Sequence, residues 1–208
     1  MNQTSLYFAT PIFKGMIKSD LEEYVIDMSK SDEGVQISNR GGWQSKPFFQ
    51  PEKEFELLWA EIEEKINMYH QTIELKNGVR ISDMWFNINY RGSANRPHQH
   101  SGSVHSGVYY IKTPENCGRI CFTHPSSSIA WSWGPPMIEK YNALNTNSVS
   151  MNPEKNLLLV FPSWLDHSVD PNQSDDIRIS LSFNTGFIEL WVCGTGEKVK
   201  RNLKSVQS

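Results

Sequence analysis

At Val79 the hydrophobic period of this chain changes, and that change limits the possible folds more than any other feature. Upstream, Phe55, Leu58, Trp59, Ile62, Ile66 and Tyr69 recur at helical spacing, after Pro51 and a cluster of acidic residues. Proline suits a first helical turn and acids suit the positive end of a helix dipole, so this segment predicts an amphipathic helix packed on its own domain. Downstream, Met84, Phe86, Ile88 and Tyr90 alternate with Trp85, Asn87 and Asn89, which is the period of a strand. The second face is partly polar, as expected of a solvent side or of a wet cavity. Further strands are predicted at Ser106–Lys112, Arg119–Thr123, Asn156–Pro162, Ile177–Asn184 and Phe187–Cys193. Helices followed by a run of strands predict a mainly β fold with N-terminal helices, a sandwich or barrel. The 208 residues read as a single domain, with an N-terminal strand and helical layer over 1–78, a β core over 79–193 and a tail over 194–208.

The N-terminal layer has its own signals. Leu6 to Ile17 reads as an edge segment, because Pro11 cannot donate to a ladder. Ser19 and Glu22 form a capping-box pattern ahead of Leu21, Val25 and Met28, predicting a first helix. Gly34 to Pro47 reads as a loop, and His124 to Pro153 as a long loop, a length more typical of functional segments than of connectors. Within it, Trp131 and Trp133 are candidates for a lid.

Composition excludes several classes. Twenty basic against 23 acidic residues give a net charge of −3, which argues against nonspecific nucleic-acid binding. Three cysteines, Cys117, Cys121 and Cys193, argue against a disulfide framework and for a reducing compartment. Cys117 and Cys121 lack the second pair that a zinc site needs and read as ordinary thiols. The longest fully apolar run, Leu157 to Phe161, is too short to span a bilayer, and residues 1–13 lack a secretion pattern. The expected location is cytoplasmic, and the Asn172-Gln173-Ser174 acceptor pattern carries no weight there.

Histidine placement carries the chemistry. His98-Gln99-His100 puts two imidazoles at i, i+2, which share a face on an extended strand. His167 follows the apolar strand from Leu157 to Trp164, and two histidines on one strand with a third on a distant strand can assemble a three-ligand metal site. Arg178, Ser180 and Ser182 share one face of a strand eleven residues further on. An arginine pointing into a barrel is costly unless it meets an anion, and its forked donors suit a carboxylate. The competing readings are surface histidines and an outward salt bridge. His105 reads as a surface loop position, and His70 as a cation at a helix end.

These segments resemble the iron(II)- and 2-oxoglutarate-dependent oxygenase superfamily, and within it a bacterial and phage group related to prolyl hydroxylases. Asn89-Tyr90-Arg91-Gly92, then Pro97-His98-Gln99-His100, then Ser106-Gly107-Val108-Tyr109-Tyr110 resemble the first motif. Phe161 to Pro171, with His167 and Val169, followed by Arg178-Ile179-Ser180, resembles the second. The phage-type group also resembles Phe8-Ala9-Thr10-Pro11 and Gly41-Gly42-Trp43-Gln44-Ser45.

The resemblance implies a double-stranded β-helix, a cupin-like jelly roll, with iron(II) and 2-oxoglutarate as cofactors. It implies His98 and His167 as iron ligands, Arg178 on the distal carboxylate of 2-oxoglutarate with Ser180 beside it, and Tyr90 or Tyr110 on the same carboxylate. The expected partner is a small-molecule or peptidyl substrate, without membrane or nucleic acid. His100 departs from the pattern, since the superfamily usually places a carboxylate there. His100 can replace the acid, an acid from elsewhere can complete the shell, or catalysis can be lost; the first is the expectation. Asp166 neighbours His167 but should face the other way. A three-histidine dioxygenase without 2-oxoglutarate and a noncatalytic jelly-roll binding module are the alternative readings.

Overall fold

Alternation in the second half of the chain produces two antiparallel sheets. The computed structural model describes residues 8–126, 128–188, 190–192 and 198–200. Strand β1 (Phe13–Met16) and helix α1 (Glu22–Ser31) come first, then β2 (Asn39–Arg40), β3 (Trp43–Gln44) and α2 (Glu56–Thr72). Next come β4 (Val79–Asn89), β5 (Ala94–His98), β6 (His105–Lys112) and β7 (Ile120–Thr123). A short α3 (Ser128–Ser132) precedes β8 (Ser148–Met151), β9 (Leu157–Pro162), β10 (His167–Val169) and β11 (Arg178–Phe187). Strands β12 (Leu190–Val192) and β13 (Lys198–Lys200) form a separate pair.

The larger sheet has the order β1-β9-β6-β11-β4-β3, and the smaller β2-β5-β10-β7-β8. Consecutive strands repeatedly fall in opposite sheets, as a jelly roll requires. The edge position of β1 agrees with the reading of Pro11. The mainly β class with N-terminal helices holds, and the sheet arrangement is that of the double-stranded β-helix.

The large sheet has two unlike faces. Its outer face presents Phe86, Ile88, Ile111, Leu158, Ile179, Leu181 and Phe183, all buried. Helix α2 covers this face with Leu58, Trp59, Ile62, Ile66 and Tyr69, which join the same apolar cluster. Each such side chain contributes roughly 1.5–3 kcal/mol of gross burial before entropy is subtracted. The inner face carries a smaller cluster of Val108, Tyr110, Leu159 and Phe161, packed against Ile120 and Phe122 of the small sheet. Gly107 lies where the sheet is tightest. A Cβ there would meet the Phe183 ring at 2.2 Å and the Leu159 carbonyl oxygen at 2.5 Å.

Four expectations are corrected. The stretch from Gly34 to Pro47 is not all loop, since β2 and β3 arise there and extend both sheets. The capping box does not form: α1 has Leu21 at its N-cap without a side-chain bond, and the Ser19 hydroxyl lies 2.8 Å from the Tyr109 hydroxyl instead. A tertiary partner has outcompeted a local one. The long segment after His124 contains α3 and the edge strand β8. Finally, β11 continues to Phe187, and the strand after it is Leu190–Val192. Cys193 and most of the predicted tail lie outside the described residues. Asn172 is 1 % exposed, with its side-chain amide donating to the Asn89 and Asp176 carbonyls, so it serves as a turn anchor.

Candidate active site

The small sheet brings the histidines together. His98 ends β5, His167 begins β10, and the two residues are cross-strand partners. His100 lies just past β5, where its backbone N–H donates to the Ser163 carbonyl at 3.0 Å. One ligand atom from each imidazole falls within 4.8 Å of the other two. No Asp or Glu belongs to this group among the described residues, and Asp166 stays outside it.

Hydrogen bonds set the tautomers. Nδ1 of His98 lies 2.6 Å from the Arg96 carbonyl oxygen, and Nδ1 of His167 lies 2.9 Å from that of Leu165. A carbonyl only accepts, so each Nδ1 carries the proton and each Nε2 keeps its lone pair for a metal. Burial pushes the His167 imidazole down to about 3, with smaller effects from neighbouring groups. Burial, then the charge of His98, pushes His100 down to about 4. Both are neutral at pH 7, the form that ligates.

Strand β11 supplies the other half. Arg178, Ser180 and Ser182 line the same cavity as the histidines, together with Trp85, Asn87 and Tyr110. Arg178 is 2 % exposed. One terminal nitrogen donates to the Cys117 and Gly118 carbonyls at 2.9 and 3.2 Å, while its buried Nε has no partner. Gly118 has a φ of 88°, and a Cβ there would meet the Asp170 carbonyl oxygen at 2.2 Å, so the turn that receives Arg178 needs glycine. Burial pulls the Arg178 pKa down and pushes that of Tyr110 up. Asn87 donates to the Ser182 hydroxyl at 3.1 Å, and its own oxygen is buried without a donor.

Most predicted residues meet in one cavity: His98, His100, His167, Arg178, Ser180 and Tyr110 all line it. Tyr90 does not. It follows β4, is 45 % exposed and lies away from the cavity, so of the two tyrosines only Tyr110 faces Arg178. The reason is strand parity: Tyr90 belongs to the Phe86–Ile88 face and leaves the sheet where β4 ends. His105 is also corrected. It is 2 % exposed, and its Nε2 lies 2.8 Å from Nδ1 of His70, whose Nε2 lies 2.5 Å from the Asn77 carbonyl. Trp85, Asn87 and Asn95 also line the cavity; the partly polar second face of the β4 pattern is the signal for the first two, and Asn95, on β5, has none. Cys117 is buried and Cys121 contacts Ser150 and Asp170, and neither belongs to the histidine group.

Two facing sheets enclose a three-imidazole cluster that could hold a metal ion and a buried arginine on one inner wall. A family model described as "Putative 2OG-Fe(II) oxygenase" matches residues 83–184. That span is just under half of the 208 residues, and over it the chain is similar to the 2-oxoglutarate- and iron(II)-dependent oxygenases. No curated protein matches by sequence. Solved structures share the fold. A Pseudomonas putida prolyl-4-hydroxylase aligns with TM-score 0.57 and 13 % identity over 84 % of this chain and 92 % of that one. A viral collagen prolyl hydroxylase from Paramecium Bursaria Chlorella virus-1, with 2-oxoglutarate bound, gives 0.53 and 16 % over 84 % and 94 %. A Trichoplax adhaerens prolyl hydroxylase, in complex with a hypoxia inducible factor peptide, gives 0.56 and 16 % over 84 % and 82 %.

Proposed function

We propose that His98, His100 and His167 hold iron(II), that Arg178 holds the distal carboxylate of 2-oxoglutarate, and that the enzyme hydroxylates a C–H bond of a peptidyl or small-molecule substrate. The observation that carries this reading is the buried Arg178 guanidinium, which has an unpartnered Nε and no carboxylate among its hydrogen-bond partners. A buried charge left this way is costly, and a carboxylate ligand removes the cost. Bound iron and 2-oxoglutarate supply dioxygen activation coupled to decarboxylation to succinate.

The protein's residues perform the rest. His98 and His167 present fixed Nε2 lone pairs, and His100 enters from the turn after β5. Arg178 and Ser180 orient the cosubstrate from β11, one strand away from Tyr110 on β6. Phe161, Val108 and Ile120 form the apolar wall that keeps water from the reacting end. Trp85 lies with its ring 5.9 Å from that of His100 and is placed to meet the substrate.

Anaerobic titration tests this. Iron(II) and then 2-oxoglutarate are added to the metal-free protein, and the visible charge-transfer band of a chelated iron–oxoacid complex is recorded. The band is expected in the wild type and lost in Arg178→Ala. A wild type without the band, beside a His100→Asp variant that shows it, would favour the reading that His100 has moved this barrel to a three-histidine chemistry without 2-oxoglutarate.

A further inference from the structure

The inner face of the large sheet stays polar beyond the cavity. Val108, Ser182 and Trp85 are cross-strand neighbours on that face and line the cavity. Two residues further from Arg178, about 7 Å along the strands, Ser106, Asn184 and Asp83 are neighbours in the same way. The Ser106 hydroxyl donates to the Asn184 side-chain oxygen at 2.8 Å, and the Asn184 amide donates to one oxygen of Asp83 at 2.9 Å. A carboxylate only accepts, so the orientation of the amide is fixed. The Ser82 hydroxyl donates to the other Asp83 oxygen at 2.7 Å. Ser106 and Asn184 are 1 % and 9 % exposed, whereas Asp83 is half-buried. The strand is also bulged here. Asn184 pairs with Asp83 and Thr185 with Ile81, which leaves Ser82 as an extra residue on β4. A bulge beside a site re-aims a side chain.

We propose that Asp83 selects the primary substrate, and that this substrate carries an ammonium or guanidinium group. The inference deepens the oxygenase reading above and rests on it. Two buried polar side chains cost folding energy that an apolar pair would not, and here they hold one carboxylate in place. That carboxylate has no cationic partner, since none of the ion pairs among the described residues includes Asp83. A carboxylate offers about four lone-pair sites, and the two neutral donors leave the rest for N–H groups of a ligand. Trp85 follows Asp83 on the same face of β4, and its ring lies 5.9 Å from that of His100. A cation can meet a carboxylate and an aromatic ring together there, a combination that a neutral or anionic group cannot use. The offset of one row, about 7 Å, separates the cation from the carbon to be oxidised by several bonds.

The test uses the full chain and three probes of one length: n-butylammonium, 1-butanol and butyrate. Binding is followed by NMR saturation transfer from the protein to each probe, at constant ionic strength so that general screening does not change. Cobalt(II) and 2-oxoglutarate are then added under argon, and broadening of the probe signals reports nearness to the metal. Butylammonium is expected to bind the wild type at least about fivefold more tightly than butanol or butyrate, and at least about fivefold more tightly than it binds Asp83→Asn. Its signals should be broadened by cobalt. In Asp83→Lys the preference should pass to butyrate. Equal binding of the three probes by the wild type overturns the proposal without any variant. Equal binding of butylammonium by wild type and Asp83→Asn also overturns it, as does bound butylammonium that bound cobalt leaves sharp. A cobalt spectrum that 2-oxoglutarate does not change brings down the oxygenase reading instead, and the ammonium preference is still read from saturation transfer, which needs no metal.

Discussion

The two faces of the large sheet follow opposite rules although they are made by the same strands. On β4 and β11, Phe86, Ile88, Ile179 and Leu181 point to the helices, while Asn87, Arg178, Ser180 and Ser182 point to the cavity. The outer face is apolar and close-packed, so its side chains stabilise the fold directly. The inner face holds a buried guanidinium and an unpaired amide oxygen, which cost stability until a ligand arrives. The contrast teaches that one strand can supply folding energy from alternate residues and binding energy from the ones between.

Four experiments can break or sharpen that contrast. The largest effect belongs to the outer face. Phe86→Ala, at a fully buried position, should cost about 3–5 kcal/mol of unfolding free energy in urea. The protein that remains folded should still bind metal normally. A loss below about 1 kcal/mol would mean that the helix-covered face is not where the stability lies.

On the inner face, Arg178→Ala should weaken 2-oxoglutarate binding at least about 100-fold by calorimetry, since it removes a buried charge pair worth about 3 kcal/mol or more. The ligand-free protein should lose on the order of 1 kcal/mol or less, because an uncompensated charge has also been removed. A drop in stability as large as that of Phe86→Ala would erase the distinction between the faces.

The third experiment uses pH. His105, held against His70, has its pKa pushed down to about 4 by burial and by the charge of His70, from an ordinary value of 6.5. The unfolded chain therefore takes up this proton first as pH falls. Stability contributed by neutral His105 should be complete above about 6.5 and lost progressively down to about 4, by up to roughly 3 kcal/mol. Urea melts of wild type and His105→Gln across that window test it; parallel curves would remove His105 as the cause.

The smallest effect is expected for Ser182→Ala. Asn87 loses its one side-chain partner, which should cost about 1 kcal/mol of stability. A gain in stability would show that the polar inner row is tolerated only for the ligand.

Much of this was legible in the residues. The apolar stripe of α2 and the alternation of β4 determine their own faces, because side-chain direction follows from backbone period. The order His98, His100, His167, Arg178 and Ser180 could be read for chemistry because i, i+2 spacing aligns side chains on a strand. Tyr90 lies outside the cavity because it shares the parity of Phe86 and Ile88, a signal that the alternation already carried and the motif resemblance overrode. Ser19 and His105 were misjudged because their partners, Tyr109 and His70, are distant in sequence. The strands β2 and β3 are two residues each and carry no period of their own.

The sequence by itself determined the elements, the polar inner row and the residues capable of ligation, since all of these depend on local spacing and side-chain chemistry. Only the tertiary structure decided that the three imidazoles converge without an acid, that Arg178 is buried with an unpartnered nitrogen, and that His70 and His105 touch. Those facts depend on which strands become neighbours, and pairing between distant strands is settled by packing over the whole chain.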